Sequence, residues 1–145
     1  MTNDNWPGDV SEAEGTEDNP ADTSPRISIV VPAYNEEAIL DRSLRALIAR
    51  LDALLEDRYE VLLCENGSKD STREVGAALA RELPGVELLS YPEPNYGKAL
   101  AAGMKAATGS VLVCFEIDFW DVGFIAQALA RLERYDIVIG SKRAH

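Results

Sequence analysis

The chain has 145 residues, of which 46% are hydrophobic and 27% charged, so it is long enough for one globular domain with a sizeable core. Its net charge of −11 at pH 7 leaves no basic stripe to neutralise phosphates, which argues against binding to nucleic acid. No apolar run approaches the roughly 18 residues that span a bilayer, and the N-terminus lacks the basic and apolar regions of a signal peptide. We therefore expect a cytoplasmic protein.

The first segment, residues 1–25, differs in composition from the rest of the chain. It carries seven acidic residues and no Lys or Arg, and it has very few apolar side chains. Such a segment cannot bury enough surface to offset its ordering entropy, so we predict a disordered acidic tail. Residues 26–145 have 14 basic and 18 acidic side chains, a net charge of −4, and form the predicted folded domain.

Strand-like and helix-like patterns alternate from Arg26 onward. The predicted strands are 26–31, 59–64, 86–90, 110–115 and 136–140. The first predicted helix follows Asn35, and the other three cover 71–83, 98–107 and 121–134. Asn35 is the predicted cap of the first helix. Cys64 and Cys114 fall within strands, where we expect small apolar core residues. The alternation predicts right-handed crossovers and an α/β fold with a doubly wound, mostly parallel sheet.

Polar clusters follow three of these strands, at the edge where ligands of wound sheets bind. They are Tyr34-Asn35-Glu36, Glu65-Asn66-Gly67 and Glu116-Ile117-Asp118. In an extended segment, Glu116 and Asp118 would lie on one side with Ile117 on the other. Paired carboxylates repel unless a cation lies between them, and hard oxygen ligands suit Mg²⁺ or Mn²⁺. The alternative is that these polar groups are solvated surface, or that the acidic pair caps the helix that starts near Asp121.

Other nucleotide-binding and catalytic motifs are absent from the sequence. There is no G-x-G-x-x-G after the first strand, and Gly97-Lys98 is followed by Ala99, where a P-loop has Ser or Thr. The chain has no Cys-x-x-Cys pair, and its single histidine is His145. These absences disfavour dinucleotide binding, a P-loop, triad hydrolysis and zinc chemistry.

Five ordered segments resemble the signature of family 2 glycosyltransferases, which have the GT-A type of fold. They are SIVVPAYNEE, CENGSKDST, NYGKALAAGMKAATGS, CFEID and DIVIGSKRAH, and together they extend from about Arg26 to His145. The stretch Ala102–Ser110 and the final GSKRAH are similar to the dolichyl- or polyprenyl-phosphate sugar synthases. A sugar nucleotidyltransferase fits less well, because its Gly-rich basic loop is missing after the first strand.

The resemblance implies a role for residues at each strand end. It implies that Pro32, Tyr34 and Glu36 line the base and ribose pocket, and it aligns Glu65 and Asn66 with two family aspartates. Glu116-Ile117-Asp118 replaces the family's D-x-D, with Asp118 as the metal-holding and catalytic acid beside Glu116. Gly97 and Lys98 correspond to a loop beside the nucleotide, although a plain turn and helix start is the alternative. Arg143, with its neighbours Ser141 and Lys142, would contact phosphate; the alternative is a frayed basic C-terminus.

By the same resemblance, the donor would be a GDP- or UDP-sugar, the acceptor a polyprenyl phosphate or another acceptor, and the cofactor Mg²⁺ or Mn²⁺. The protein would be peripheral at the cytoplasmic face of a membrane. The family's domain usually continues past the G-S-R segment, so we expect a truncated domain. A non-catalytic nucleotide-sugar-binding module is therefore the alternative function. An incomplete sheet would leave an edge for self-association or for a partner chain.

Overall fold

Strands and helices alternate along residues 26–141, which are the residues that the computed structural model describes. The strands are β1 (Ile27–Ala33), β2 (Tyr59–Asn66), β3 (Val86–Tyr91) and β4 (Val111–Cys114), and the helices are α1 (Leu40–Leu55), α2 (Thr72–Glu82), α3 (Tyr96–Ala106) and α4 (Val122–Leu132). The strands form one parallel sheet in the order β3-β2-β1-β4. The predicted α/β fold is confirmed, whereas the predicted acidic tail lies outside the described residues.

The helices cover both faces of the sheet, as in a doubly wound fold. On one face Ile27, Ile29 and Val31 of β1 pack in a core with apolar side chains of α1, α2 and α4. The apolar stripe of α1 is buried in full: Leu40, Leu44, Leu47, Ile48, Leu51 and Leu55. On the other face Val30 packs against α3. No helix within residues 26–141 is both long and apolar enough to cross a membrane.

Helix α3 lies very close to the sheet because of one glycine. A Cβ atom at Gly103 would lie 2.5 Å from Sγ of Cys64 and 2.6 Å from Cγ1 of Val30. Both distances are much shorter than the van der Waals contact distances of these atoms. Only glycine therefore permits this helix–sheet separation. The position of α3, and of the loop before it, therefore depends on Gly103.

The fifth strand predicted over residues 136–140 is wrong for the described chain. This segment runs beside β4, with which it lines a groove, but it makes no ladder with that strand. Ile137 is 77% exposed and Ile139 is 86% exposed. A β-branched run becomes a strand when a neighbouring strand and a covering layer are available, and residues 26–141 offer this segment no covering layer. β4 is consequently an edge strand.

The prediction of a buried cysteine is right for Cys64 and wrong for Cys114, which is exposed. Cys114 pairs in register with Val30 and therefore lies on the α3 side of the sheet. Helix α3 contacts β1, β2 and β3, so the same face of β4 is left uncovered and Leu112 is 46% exposed. The sequence of β4 does not reveal which side of it lacks a helix.

The first helix begins later than expected, and Asn35 does not cap it. Helix α1 starts at Leu40, its cap position is Ile39, and no side chain caps it. The backbone of Glu36 accepts hydrogen bonds from the N–H groups of Ile39 and Leu40, at 3.0 and 2.9 Å, so a turn precedes the helix. Asn35 adopts a left-handed conformation with φ of 54° instead.

Candidate functional site at the carboxyl edge of the sheet

The sheet reverses its winding between β1 and β4, and a crevice opens at the carboxyl ends of these two strands. The last hydrogen bond between them runs from the N–H of Phe115 to the carbonyl of Val30, at 3.1 Å. Alternate residues of a strand face the same neighbour, so Pro32 is the next residue of β1 on the β4 side. Proline has no N–H to donate, so the pairing cannot continue there. Ligands of doubly wound sheets bind at such a reversal point.

The loops that follow β1 and β2 are joined at Asn35. Its N–H donates to Oγ of Ser68 at 3.0 Å, and its Oδ1 accepts from the N–H of Lys69 at 2.9 Å. These two bonds hold the left-handed backbone of Asn35, a conformation that asparagine adopts more readily than most residues. The sequence prediction of a helix cap missed this role because the partners lie more than 30 residues away.

A second set of bonds joins the next residues of the same loops. The N–H groups of Glu36 and Glu37 donate to Oγ1 of Thr72 at 2.7 Å and to Oδ2 of Asp70 at 3.2 Å. In return, Oε2 of Glu37 accepts from the N–H of Ser71 at 2.8 Å. The backbone of Glu36 is thus fixed while its carboxylate takes no hydrogen bond from the described residues.

Glu65 and Asn66, at the end of β2, are both buried, with 2% and 5% of their surface exposed. Oε1 of Glu65 accepts from the N–H of Ser68 at 2.5 Å, and Oε2 accepts from the hydroxyl of Ser90 at 2.8 Å. Oδ1 of Asn66 accepts from the N–H of Asn95 at 2.6 Å. Both side chains therefore fix the loops around the crevice.

Glu116 and Asp118 occupy a tight turn, whereas the sequence analysis expected an extended segment. The N–H of Phe119 donates to the carbonyl of Glu116 at 3.2 Å, and the two residues form an isolated antiparallel bridge. Ile117 is 2% exposed and packs in the core, while Asp118 is exposed. The expected separation of the acids from Ile117 is present, but a turn produces it.

The turn is attached to helix α1 by one serine. The hydroxyl of Ser43 donates to the carbonyl of Ile117 and accepts from Nε1 of Trp120, the latter at 2.9 Å. The side chain of Ile117 packs in the core and its carbonyl accepts a hydrogen bond, so the backbone between Glu116 and Asp118 is fixed. Sequence reasoning did not identify Ser43 or Trp120, since nothing in their local pattern distinguishes them from ordinary helix and loop residues.

Four carboxylates converge on the crevice. Burial raises the pKa of Glu36 above its ordinary value, and the nearby negative charges of Asp118, Asp70 and Glu116 raise it further. The four acids come from the loops after β1, β2 and β4, so only the fold brings them together. Such a cluster of like charges favours a cation.

The oxygen ligands present fit a divalent ion whose coordination is completed by the substrate. Within residues 26–141, no group of three or more His, Cys, Asp or Glu side chains is arranged to hold a metal ion. Mg²⁺ commonly takes only one or two carboxylates from the protein, and phosphate and water oxygens complete its octahedron. Glu116 and Asp118 are hard oxygen donors of that kind and number.

Tyr96, which the sequence analysis did not identify as a site residue, reaches the same turn. Its hydroxyl donates to Oε1 of Glu116 at 2.7 Å. This hydrogen bond, followed by burial, raises the pKa of Tyr96 to about 12. Tyr96 is the first residue of α3 and lies 20 positions before Glu116, so local sequence gives no signal for the contact.

The other predicted nucleotide-binding residues lie around this edge with different exposures. Pro32 is buried in β1, Tyr34 is 39% exposed, and Gly97 and Lys98 are exposed in the first turn of α3. A Cβ atom at Gly97 would touch only Oδ1 of Asn95, at 3.8 Å, an ordinary contact. The fold itself therefore does not require glycine at position 97.

The predicted phosphate contact Arg143 lies outside the described residues, as does Lys142. Ser141, the last described residue, lines a cavity of about 310 Å³ together with Glu116, Phe119 and Trp120. The chain thus returns to the same cavity as Glu116 just before the basic residues Lys142 and Arg143.

Comparison with known proteins identifies the family. The model of glycosyl transferase family 2 matches residues 28–145, which begin at the second residue of β1 and include all the later elements described above. The chain belongs to glycosyl transferase family 2. The resemblance noted in the sequence is therefore confirmed at the level of the family.

Several known glycosyltransferases are similar to the chain. An undecaprenyl-phosphate 4-deoxy-4-formamido-L-arabinose transferase of Yersinia enterocolitica is 33% identical over 83% of this chain and 37% of its own. A dolichyl-phosphate beta-glucosyltransferase of Trichomonas vaginalis is 37% identical over 63% of this chain and 30% of its own. The solved mannosyltransferase PcManGT from Pyrobaculum calidifontis, in complex with GDP-Man and Mn²⁺, is 26% identical, with a TM-score of 0.63 over 72% of this chain and 31% of that one.

The chain spans only part of the length of these relatives. It spans between 19% and 37% of the length of the curated relatives that it matches first.

Proposed function

We propose that this chain provides the donor site of a glycosyltransferase that moves a sugar from a nucleotide diphospho-sugar to a polyprenyl phosphate. The observation that carries this proposal is the position of Glu36, Asp70, Glu116 and Asp118 in the loops that follow the carboxyl ends of β1, β2 and β4 in a family 2 domain. Four acids would repel a diphosphate by itself, but they can bind a diphosphate that is accompanied by a cation.

We propose that Asp118 and Glu116 hold a Mg²⁺ or Mn²⁺ ion. When bound there, the ion would stabilise the negative charge that develops on the departing diphosphate. Asp118 is the better first ligand, because it is exposed and takes no hydrogen bond from the described residues. The solved relative in complex with GDP-Man and Mn²⁺ supports this assignment.

For the nucleotide, we propose that Pro32, Tyr34 and Glu36 line the base and ribose pocket and that Gly97, Lys98 and Arg143 approach the diphosphate. Gly97 supports this, since the fold leaves open space beside it.

Glu65 and Asn66 have a different part in the proposal. Both oxygens of the Glu65 carboxylate already accept hydrogen bonds from the protein, so Glu65 would shape the pocket through the turn that it holds. The Oδ1 of Asn66 is likewise engaged, so its amide N–H₂ is the group that we assign to the nucleotide.

A phosphate acceptor also fits the residues that are present. A phosphate monoester is mostly ionised near neutral pH, with a second pKa of about 6, so its oxygen needs no protein base to accept the sugar. The single histidine of the sequence is His145, so residues 26–141 contain none. The names of two relatives, which act on dolichyl phosphate and undecaprenyl phosphate, support this acceptor class.

The second candidate function is a nucleotide-sugar-binding module that does not catalyse transfer by itself. The uncovered edge strand β4 supports this idea, because Leu112 and Ile139 are left for another surface to cover.

We propose self-association through this edge, which light scattering of the chain and of Leu112→Lys would test. Location at the cytoplasmic face of a membrane stays a prediction.

The decisive experiment measures binding and transfer separately. GDP- and UDP-sugars are titrated with Mn²⁺ or with chelator, and nucleotide release is then assayed with polyprenyl phosphate. Release supports the transferase, and metal-dependent binding without release supports the module.

Substitution of Asp118 tests the metal site in the same experiment. Asp118→Asn should weaken Mn²⁺-dependent donor binding by about 3 kcal/mol, roughly a hundredfold, because it removes the proposed first ligand. Binding in chelator should not change. Asp121→Asn is the matched control, since Asp121 caps α4 at Gly123 with a bond of 2.9 Å and asparagine caps nearly as well. Equal Mn²⁺-dependent affinities for Asp118→Asn and the parent would remove Asp118 from the site.

A further inference from the structure

We propose that Tyr96 is a positioning residue that holds Glu116 in the orientation that a divalent ion requires. This inference rests on the proposed function, because it concerns the metal site of the same crevice. Its basis is the 2.7 Å hydrogen bond from the Tyr96 hydroxyl to Oε1 of Glu116. The other oxygen, Oε2, accepts no hydrogen bond from residues 26–141 and is the atom left for the ion.

The bond spans the two sides of the crevice. Tyr96 follows Asn95, whose N–H donates to Oδ1 of Asn66 at 2.6 Å and whose side chain caps α3 by accepting from the N–H of Lys98 at 3.0 Å. The start of α3 is therefore fixed to the end of β2. Glu116 lies on the other side, in the turn after β4. Tyr96 is thus a link from a fixed helix start to the carboxylate of that turn.

The link would make metal binding easier by fixing Glu116 beforehand. A free glutamate side chain loses about 1.5 to 2 kcal/mol of rotamer freedom when it is immobilised. If the hydrogen bond from Tyr96 already restricts Glu116, less of that loss accompanies binding of the ion. An ionised carboxylate has about four lone-pair sites, so one hydrogen bond leaves room for a metal ligand bond.

Packing alone does not account for Tyr96. The residue is 50% exposed and belongs to neither of the two apolar cores, so its ring contributes little to the fold. Its hydroxyl has one partner, and that partner is a carboxylate of the proposed metal site. A tyrosine that blocked the ion would have the opposite effect on affinity, which makes the two roles separable.

The test measures Mn²⁺ affinity by calorimetry or by water-proton relaxation, on the full chain with UDP or GDP present. Tyr96→Phe should weaken Mn²⁺ binding about tenfold, the lower end of the range for residues that orient a metal ligand. Nucleotide affinity in chelator should be unchanged, which shows that the crevice is intact. Tyr135→Phe is the matched control, because Tyr135 is 62% exposed and lies in the segment after α4. Unchanged or tighter Mn²⁺ binding by Tyr96→Phe would overturn the inference.

A double-mutant cycle identifies Glu116 as the partner. In the Glu116→Gln background, Tyr96→Phe should cause no further loss of Mn²⁺ affinity, because the oriented carboxylate is already gone. The same tenfold loss in both backgrounds would contradict a role through Glu116.

The two proposals fail in different ways. If Mn²⁺ binding depends on Asp118 but not on Tyr96, the positioning role is wrong and the proposed function stands. If the parent chain binds no Mn²⁺ with either nucleotide, both are wrong.

Discussion

Two partly buried glutamates lie at opposite ends of the same sheet, and the polar groups around them differ. Glu60, near the amino end of β2, accepts three hydrogen bonds on Oε1, from the hydroxyl of Ser28 at 2.5 Å and from the N–H and hydroxyl of Thr108 at 2.7 and 2.9 Å. Glu36, after the carboxyl end of β1, accepts none from the described residues and has three carboxylates nearby.

The pKa shifts of the two groups have opposite directions. Burial by itself raises the pKa of Glu60, but the hydrogen bonds from Ser28 and Thr108 outweigh burial and lower it below the ordinary value. Burial also raises the pKa of Glu36, and there the acidic neighbours add to the effect. The amino end therefore uses a carboxylate to hold together β1, β2 and the loop that precedes β4. At the carboxyl end, the carboxylates of Glu36 and Asp118 accept no hydrogen bond from the described residues, as in a binding site.

Removal of each carboxylate is the most direct way to break this comparison. Glu60→Ala should destabilise the chain by about 3 kcal/mol, because three donors lose their shared acceptor. Glu36→Gln should leave the free energy of unfolding unchanged or raise it, since a repelled charge disappears. Urea denaturation of both variants measures the difference. Equal losses would mean that Glu36 is as structural as Glu60.

The same comparison extends to two glycines of helix α3. Gly103→Ala should cost about 2 kcal/mol in urea denaturation, because the added carbon overlaps Cys64 and Val30. Gly97→Ala is the matched variant and should not destabilise the chain, since its new carbon meets only Asn95 at an ordinary distance. If Gly97 lies beside the nucleotide, Gly97→Ala should nevertheless weaken donor binding. Full donor affinity in Gly97→Ala would show that position 97 is a plain helix start.

A smaller effect is expected on the pH dependence of stability. The folded-state pKa of Glu60 is lowered, so its contribution is present above the unfolded value of about 4.3 and is lost as the pH falls through the folded value. The folded-state pKa of Glu36 is raised, so protonation there restores stability as the pH falls toward about 4.3.

Unfolding free energies between about pH 6 and pH 3 measure both contributions. Glu60→Gln should remove part of the stability that the parent loses at acid pH. The part removed should be less than about 1 kcal/mol, because the side chain is partly screened by solvent. Glu36→Gln should remove the gain in stability that protonation of Glu36 gives the parent at the higher end of this pH range. A change of the same sign in both variants would contradict the opposite shifts.

Much of this molecule follows from local sequence. The stripe of leucines in α1, the β-branched run of β1 and the alternation of strands with helices are periodic patterns, and periodicity fixes which side of an element is apolar. Because the carboxyl ends of parallel strands share one edge, the positions of Glu36, Glu65 and Glu116 at that edge were also predictable. The resemblance to family 2 glycosyltransferases rests on the same segments.

The tertiary structure decided what each of those residues contacts. Glu65 was expected at the nucleotide, yet its carboxylate is enclosed by Ser68 and Ser90. Cys114 is exposed because no helix within residues 26–141 covers the α3 side of β4. Contacts such as Tyr96 with Glu116, or Asn35 with Ser68, join residues 20 and 33 positions apart. Periodicity describes one element at a time, whereas these contacts depend on how far loops from different strands extend over a shared edge. The sequence by itself therefore determined the sheet and the edge that carries the acids, and only the packing of the loops decided which acids were left for a cation.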